Sequence, residues 1–190
     1  MKKLSLILFS ILTLFLLSKI SYAKEPSHSG HEWPSYAQGE AKVIDGDTLI
    51  INNIRIRLFG IDAPEKNQIC KSNYYRAYNC GHASTEFLKS LTTKKVNIYG
   101  DPIPPMNKRV TCYWKDLDIY GRPIAICSTS GDVEGSQIIL NSLMVFFGHA
   151  VAYKKYSKKY VELENSAKKR EIGIWQGEFD MPWDWRRKYK

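Results

Sequence analysis

No apolar run in this 190-residue sequence is long enough to cross a bilayer as a helix. The longest, Leu4 to Ser18, has 15 residues where roughly 18 to 20 are needed, which excludes a polytopic membrane protein. Cysteine is scarce, with four residues and no Cys-x-x-Cys pair, and His28, His31, His82 and His149 are scattered without matching partners. Both features argue against a zinc site. There is no Walker loop, no Ser-His-Asp spacing, no cysteine nucleophile motif, no internal repeat and no alternation of strands with helices of the βαβ kind. Core-forming residues are plentiful, at 44% hydrophobic and 13% aromatic. That argues against disorder throughout, and one globular domain is the expectation.

The apolar run follows Lys2 and Lys3 and leads into Ser21-Tyr22-Ala23. This is the basic head, apolar middle and small-residue cleavage site of a secretory signal peptide spanning residues 1–23. An uncleaved amphipathic anchor is the alternative, but Lys19 interrupts the apolar stretch and no lipid-accepting Cys follows. Export is therefore expected, to the periplasm or the medium, with no stable membrane insertion once the signal is removed. The formal charge of +9 falls to +6 on cleavage, and residues 151–190, with 11 basic and 6 acidic side chains, carry +5 of it. In that region Lys154, Lys155, Lys158, Lys159, Arg186 and Arg187 are interleaved with Tyr153, Tyr156, Tyr160, Trp183 and Trp185. Cations for phosphates and flat rings for bases suit a single-stranded polyanion. A solvated basic face is the plainer alternative.

Export favours disulfides. Asp116 to Gly121 lies midway between Cys112 and Cys127 and reads as a hairpin turn between strands Val110 to Trp114 and Pro123 to Ile126. Those two thiols should then face each other across a ladder, leaving Cys70 and Cys80 to close a polar loop. Residues 24–39 lack hydrophobic periodicity and read as a mobile lead-in, with order beginning near Glu40. Ala41 to Ile44 and Thr48 to Ile51 are short β-rich runs, and Asn52-Asn53 turns the chain into a strand from Ile54 to Ile61. Alternation there directs Arg57 away from the core. Val96 to Tyr99 is a further strand. Helical stripes run through Ala83, Phe87, Leu88 and Leu91, then through Asn141 to Phe147 with Asn141 as N-cap and Gly148 as stop, and then from Tyr160 to Arg170. Five short strands with about three late helices predict an α+β protein, a small five-stranded OB-type barrel packed by helices over residues 40–176, with residues 177–190 a basic, Trp-containing tail.

Between Asp45 and Glu65 the chain sets four carboxylates, Asp45, Asp47, Asp62 and Glu65, on tight connections around a strand bearing Arg57. Like charges crowded in this way call for a cation, and oxygen-only donors suit Ca²⁺ or Mg²⁺. Gly46 lets the first pair converge and Pro64 stiffens the second.

Four blocks in order resemble the motifs of the thermonuclease, or staphylococcal nuclease-like, family. They are Val43 to Thr48, Arg57 to Glu65, Asp118-Ile119-Tyr120-Gly121-Arg122, and Gly173-Ile174-Trp175. The resemblance covers about residues 40–176. It implies an OB-fold, Ca²⁺-dependent phosphodiesterase that cuts DNA and RNA and leaves 3′-phosphate ends. Under it Asp47 and Asp62 match metal carboxylates and Ala63 a carbonyl ligand. Glu65 matches the general base, Arg57 and Arg122 match two phosphate clamps, and Tyr120, Tyr153 and Tyr156 fall near nucleotide-contacting tyrosines. Ile119 stands where that family often has Lys, and the Cys-flanked segment 66–80 is longer than in the plain secreted nuclease.

The chemistry of the residues agrees with these roles. Water attack on a phosphodiester builds negative charge on the non-bridging oxygens, where planar guanidiniums and a cation stabilise it. The expectation is a monomeric, exported, metal-dependent nuclease acting on single-stranded DNA or RNA. A non-catalytic OB barrel that holds nucleic acid without cutting it is the competing reading.

Overall fold

A computed structural model describes residues 35–93, 109–130 and 137–189. The signal segment, the strand expected at Val96 to Tyr99 and most of the lead-in lie outside the described residues. No described helix is long and apolar enough to cross a membrane.

The first described strand, β1 (Ser35–Gly39), lies inside the expected mobile lead-in. It pairs antiparallel with β8 (Val110–Leu117) over all five of its residues, from Ser35 opposite Trp114 to Gly39 opposite Val110. Backbone pairing with buried Ala37 holds this segment where its side-chain pattern gave no signal. Strands β2 (Lys42–Asp45), β3 (Thr48–Ile51) and β4 (Ile54–Leu58) follow as an antiparallel meander. The β3–β4 turn uses Asn52 and Asn53 at φ of 49° and 66°, the left-handed pair that a two-residue hairpin requires.

The single strand expected from Ile54 to Ile61 is broken. The chain turns at Phe59-Gly60, with Gly60 at φ +72°, and a separate two-residue strand β5 (Ile61–Asp62) pairs with β11 (Val151–Ala152). β4 instead runs parallel to β9 (Pro123–Ser130), with Arg57 opposite Ile124. The β8–β9 hairpin places Cys112 opposite Cys127 as expected, and the two are disulfide-bonded. β10 (Gln137–Ile139) pairs with the far end of β9. The short strands β6 (Ile69–Lys71) and β7 (Ala77–Asn79) form the neck of the loop that the Cys70–Cys80 bridge closes.

The main sheet is hydrogen-bonded in the order β1-β8-β9-β4-β3-β2, an open path and not a ring. Its buried face carries Leu49, Ile51, Ile56, Leu58, Val110 and Ala125, alternating with more exposed neighbours as a period of two demands.

Four α-helices are present among the described residues, one more than expected. Helix α1 (Cys80–Thr92) starts where the Asn79 side chain accepts a hydrogen bond from the His82 N–H at 2.8 Å, and it buries Leu88. In α2 (Leu140–Phe146) Asn141 is not the N-cap. Its side chain is fully buried and stitches the sheet, accepting from Cys127 N at 3.0 Å and donating to Phe59 O and Ala125 O. The need to satisfy strand backbone groups overrides the capping preference at this position. Helix α3 (Val161–Lys169) follows the expected stripe, with Ala167 buried. The fourth, α4 (Pro182–Tyr189), lies in what sequence reading treats as a tail. Beneath it a second apolar cluster gathers Cys70, Cys80, Val151 and Ile174, with Tyr78, Trp175, Phe179, Met181 and Trp183 packed against them.

Candidate active site

The β2–β3 turn carries Asp45 and Asp47, β4 carries Arg57, β5 carries Asp62, and the connection after β5 carries Ala63 and Glu65. Folding brings these six together. Arg57 lies between two acids, donating through Nη1 to Asp47 Oδ1 at 3.1 Å and through Nη2 to Asp62 Oδ1 at 2.8 Å. Asp47 is 5% exposed and Asp62 not at all. The Asp47 carboxylate also accepts from Thr48 Oγ1 at 3.0 Å and from the Ala63 N–H at 3.1 Å, so the two turns are tied to each other through it. Asp45 Oδ1 in turn accepts from the Asp47 N–H.

Gly46 allows this convergence. A Cβ there would stand 2.0 Å from Ser84 Oγ and 2.7 Å from the Ala63 Cβ. Gly81 does the same for the other connection, since its Cβ would fall 1.7 Å from the Glu65 carbonyl oxygen. The Glu65 N–H donates to the Oε1 of fully buried Gln68 at 3.1 Å, which fixes the backbone from which the Glu65 side chain projects.

The electrostatics follow from burial. Desolvation and the adjacent Asp47 carboxylate push Asp45 up to about 6. Burial also raises Asp62, although Arg186 and Arg57 pull against it. Burial alone would lower the Arg57 guanidinium, but Asp47 and Asp62 hold it above its ordinary value. The site therefore has room for positive charge. Three carboxylates, those of Asp47, Asp62 and Glu65, pair with the two guanidiniums of Arg57 and Arg186, and Asp45 adds a fourth beside Asp47.

All the donors are oxygens. Oδ2 of Asp47 accepts from the Ala63 N–H, and Oδ2 of Asp62 from Arg186. That donor set fits a hard divalent ion held by few protein ligands. Among the described residues no three His, Cys, Asp or Glu side chains are gathered tightly enough to enclose one.

Arg122 lies just before β9, two residues from the Ile124 that faces Arg57, and so at the same edge of the sheet. Its guanidinium is held by Asp118, with Nε 2.7 Å from Oδ2, and not by the acid cluster. Asp118 is lowered because hydrogen bonds from the backbone and side chain of Arg122 and the backbone of Tyr120 outweigh its burial. Tyr120 is 77% exposed beside it, with the Arg122 guanidinium 5.6 Å from the ring centroid.

Tyr153 does reach the cluster. Its N–H donates to Gly60 O, and its hydroxyl is raised by burial and by the Asp62 charge. Tyr156 is exposed and meets the Tyr153 ring edge-on at 4.8 Å. Both expected disulfides are present, Cys70–Cys80 and Cys112–Cys127.

Two participants escape the sequence reading. One is Gln68, whose Nε2 also donates to Asp180 O at 2.7 Å. The other is Arg186 of α4. Its Nη2 lies 2.7 Å from Asp62 Oδ2, and its Nη1 lies 3.1 Å from Asp62 Oδ1 and 2.9 Å from Glu65 Oε1. The signal for it was the basic and aromatic interleaving around Trp183, which suggests phosphate contact as readily as an internal ion pair.

The family described as staphylococcal nuclease homologue matches residues 55–177. A micrococcal nuclease of Shigella flexneri is 29% identical over 170 residues, covering 83% of this chain and 84% of that protein. An uncharacterized endonuclease of Escherichia coli is 32% identical over 152 residues, covering 76% and 81%. The succinoglycan biosynthesis protein ExoI of Rhizobium meliloti (strain 1021) is 29% identical over 141 residues, covering 74% of this chain and 65% of its own length.

Proposed function

Since this chain belongs to the staphylococcal nuclease homologue family, we propose that it is an exported, Ca²⁺-dependent phosphodiesterase that hydrolyses DNA and RNA by direct attack of water and leaves 3′-phosphate ends. The observation that carries the reading is Arg57 held between the buried carboxylates of Asp47 and Asp62, with Glu65 on the adjoining connection. A barrel that only binds a polyanion gains nothing from confining so many acids beside it.

Two of the five N–H donors of Arg57 are used on Asp47 and Asp62. The remainder are available to a non-bridging phosphate oxygen, and Arg122, with part of its fork on Asp118, offers the same from the neighbouring strand. These fixed donors stabilise charge that grows on the phosphoryl oxygens in the transition state. Glu65 accepts a proton from the attacking water, a phosphorus–oxygen bond forms to that water, and the bond to the 5′ oxygen breaks as that oxygen takes a proton from solvent. Asp47, Asp62 and the Ala63 carbonyl would hold Ca²⁺, which supplies Lewis-acid stabilisation and a modest increase in the acidity of water. The exposed rings of Tyr156 and Tyr120 provide flat faces for bases along the approach, with Tyr153 packed beneath Tyr156.

The finer fold reading, a closed OB barrel, is supported by chain connectivity. The two ends of the open sheet path, β1 and β2, are separated only by Glu40 and Ala41. One bent segment thus pairs with β8 in its first half and with β3 in its second, the connectivity that a five-stranded ring needs. A monomer is the expected state.

The test is digestion of single-stranded DNA and of RNA by the purified protein, with product ends mapped. Cutting with Ca²⁺ that stops on adding EGTA is the expected result. Metal-independent cutting would overturn the site as described, and salt-sensitive retention of DNA with no products would identify a binding module instead.

A further inference from the structure

Helix α4 lies wholly beyond the segment that matches the family, residues 55–177, yet it sends a side chain into the middle of the acid cluster. Its seating is specific. The Trp183 ring stacks on Tyr153 with centroids 5.7 Å apart and planes 10° from parallel, and Pro182 is buried. The approach to the helix is pinned by Gln68 on the carbonyl of Asp180, and Met181 and Phe179 pack into the second apolar cluster. Three residues after Trp183, on the same face of the helix, comes Arg186. Arg187 and Lys188 make exposed pairs with Asp184 and Asp180 and do not reach the site.

Resting on the nuclease reading above, we propose that Arg186 is a positioning residue of the active centre, whose guanidinium holds the Glu65 carboxylate against Asp62 in the orientation that water activation requires. One nitrogen, Nη1, donates to both Asp62 Oδ1 and Glu65 Oε1, at 3.1 and 2.9 Å. Two carboxylates that share one guanidinium nitrogen would repel each other without it. Glu65 is carried on a connection and not on a strand, and ordering a long side chain there costs rotamer freedom that a planar, two-armed donor offsets. The same guanidinium touches both oxygens of Asp62, so it also opposes any cation that binds that carboxylate.

These two effects have opposite signs, and a residue that merely supports the helix would not produce both. Arg186→Gln should lower kcat about 10- to 100-fold, with KM changed less than about threefold, because a displaced base affects the chemical step and not ground-state binding. The same variant should bind Ca²⁺ about tenfold more tightly, measured by titration calorimetry without substrate. Arg186→Lys keeps the charge but loses the fork, so it should return Ca²⁺ affinity toward the parent value while leaving kcat low. Lys188→Ala, which pairs with Asp180 away from the site, is the control and should behave as the parent.

Steady-state kinetics, calorimetry and thermal unfolding of the parent and these variants decide the matter. If the parent cuts nucleic acid and Arg186→Gln retains kcat within threefold, the inference is overturned and the nuclease reading survives. It is also overturned if Ca²⁺ affinity and kcat fall together with a lowered Tm, the signature of a loosened helix. If Arg186→Gln does not fold, Arg186→Lys with a parental Tm decides alone, and parental kcat in that variant overturns the proposal. A parent that cuts neither DNA nor RNA overturns the nuclease reading and this inference with it.

Discussion

Arg57→Gln isolates the electrostatic balance of the cluster. The guanidinium is 3.1 Å from Asp47 Oδ1 and 2.8 Å from Asp62 Oδ1, and its own side chain is only 19% exposed. Unit charges about 4 Å apart attract by about 4 kcal/mol at an effective dielectric of 20, before desolvation is counted. Removing one partner of a buried pair typically costs about 3 to 5 kcal/mol, because the remaining charge stays buried without compensation. Asp62 would still be neutralised by Arg186, so the exposed liability is Asp47, 5% exposed and left with only neutral donors. The expected loss is therefore about 3 kcal/mol, near the lower end of that range. Urea denaturation at pH 7 in EDTA measures it. Asp47→Asn in the same background removes the orphaned charge, so the double variant should recover about 1 to 3 kcal/mol relative to additivity. Turnover of Arg57→Gln in Ca²⁺ should fall on the order of 10²- to 10³-fold, as for loss of one transition-state donor. A stability loss below about 1 kcal/mol, or strict additivity in the double variant, would refute the charge argument. A tenfold effect or less on turnover would remove Arg57 from the mechanism.

Two further outcomes test the scaffold. Asn141→Leu removes three buried hydrogen bonds, those to Cys127 N, Phe59 O and Ala125 O, of which Ala125 O still accepts from Phe59 N, so chemical denaturation should show a loss of about 2 to 4 kcal/mol, and a change below 1 kcal/mol would mean the strands are not stitched there. His149 is stacked on Phe87 at 4.1 Å, and burial lowers its pKa to about 4, so between an unfolded value near 6.5 and that folded value the unfolded chain binds the extra proton. Its contribution is fully present above pH 6.5 and is lost as pH falls toward 4, on the order of 3 kcal/mol in all. Asp45, raised to about 6, acts in the opposite direction over the same window, so the readout is the difference between His149→Phe and the parent, from urea unfolding at pH 7.5 and 4.5. Equal pH slopes for the two proteins would contradict the assignment.

The acid and arginine cluster was legible in the sequence because its residues are close along the chain, on short turns whose geometry Gly46 and Pro64 restrict. The Cys112–Cys127 bridge was legible for a related reason, since a hairpin centred between the two positions leaves them no other register. What the sequence did not reveal depends on contacts between distant segments. Strand β1 has a poor apolar pattern and is held by backbone pairing with β8, 73 residues later at Gln38 and Thr111 by register. Asn141 has the right type and place for a cap, yet buried strand amides claim its side chain. Arg186 is separated from Glu65 by 121 positions, and one more arginine in a basic stretch carries no mark of which acid it will meet.

The Cys70–Cys80 bridge sits at the floor of the same small cluster that seats Trp183. A reducing solvent should thus disturb the acid cluster without meeting a single sulfur among its groups. Opening that bond should loosen the loop under the helix, unseat the indole and let the guanidinium one turn further on lose its aim.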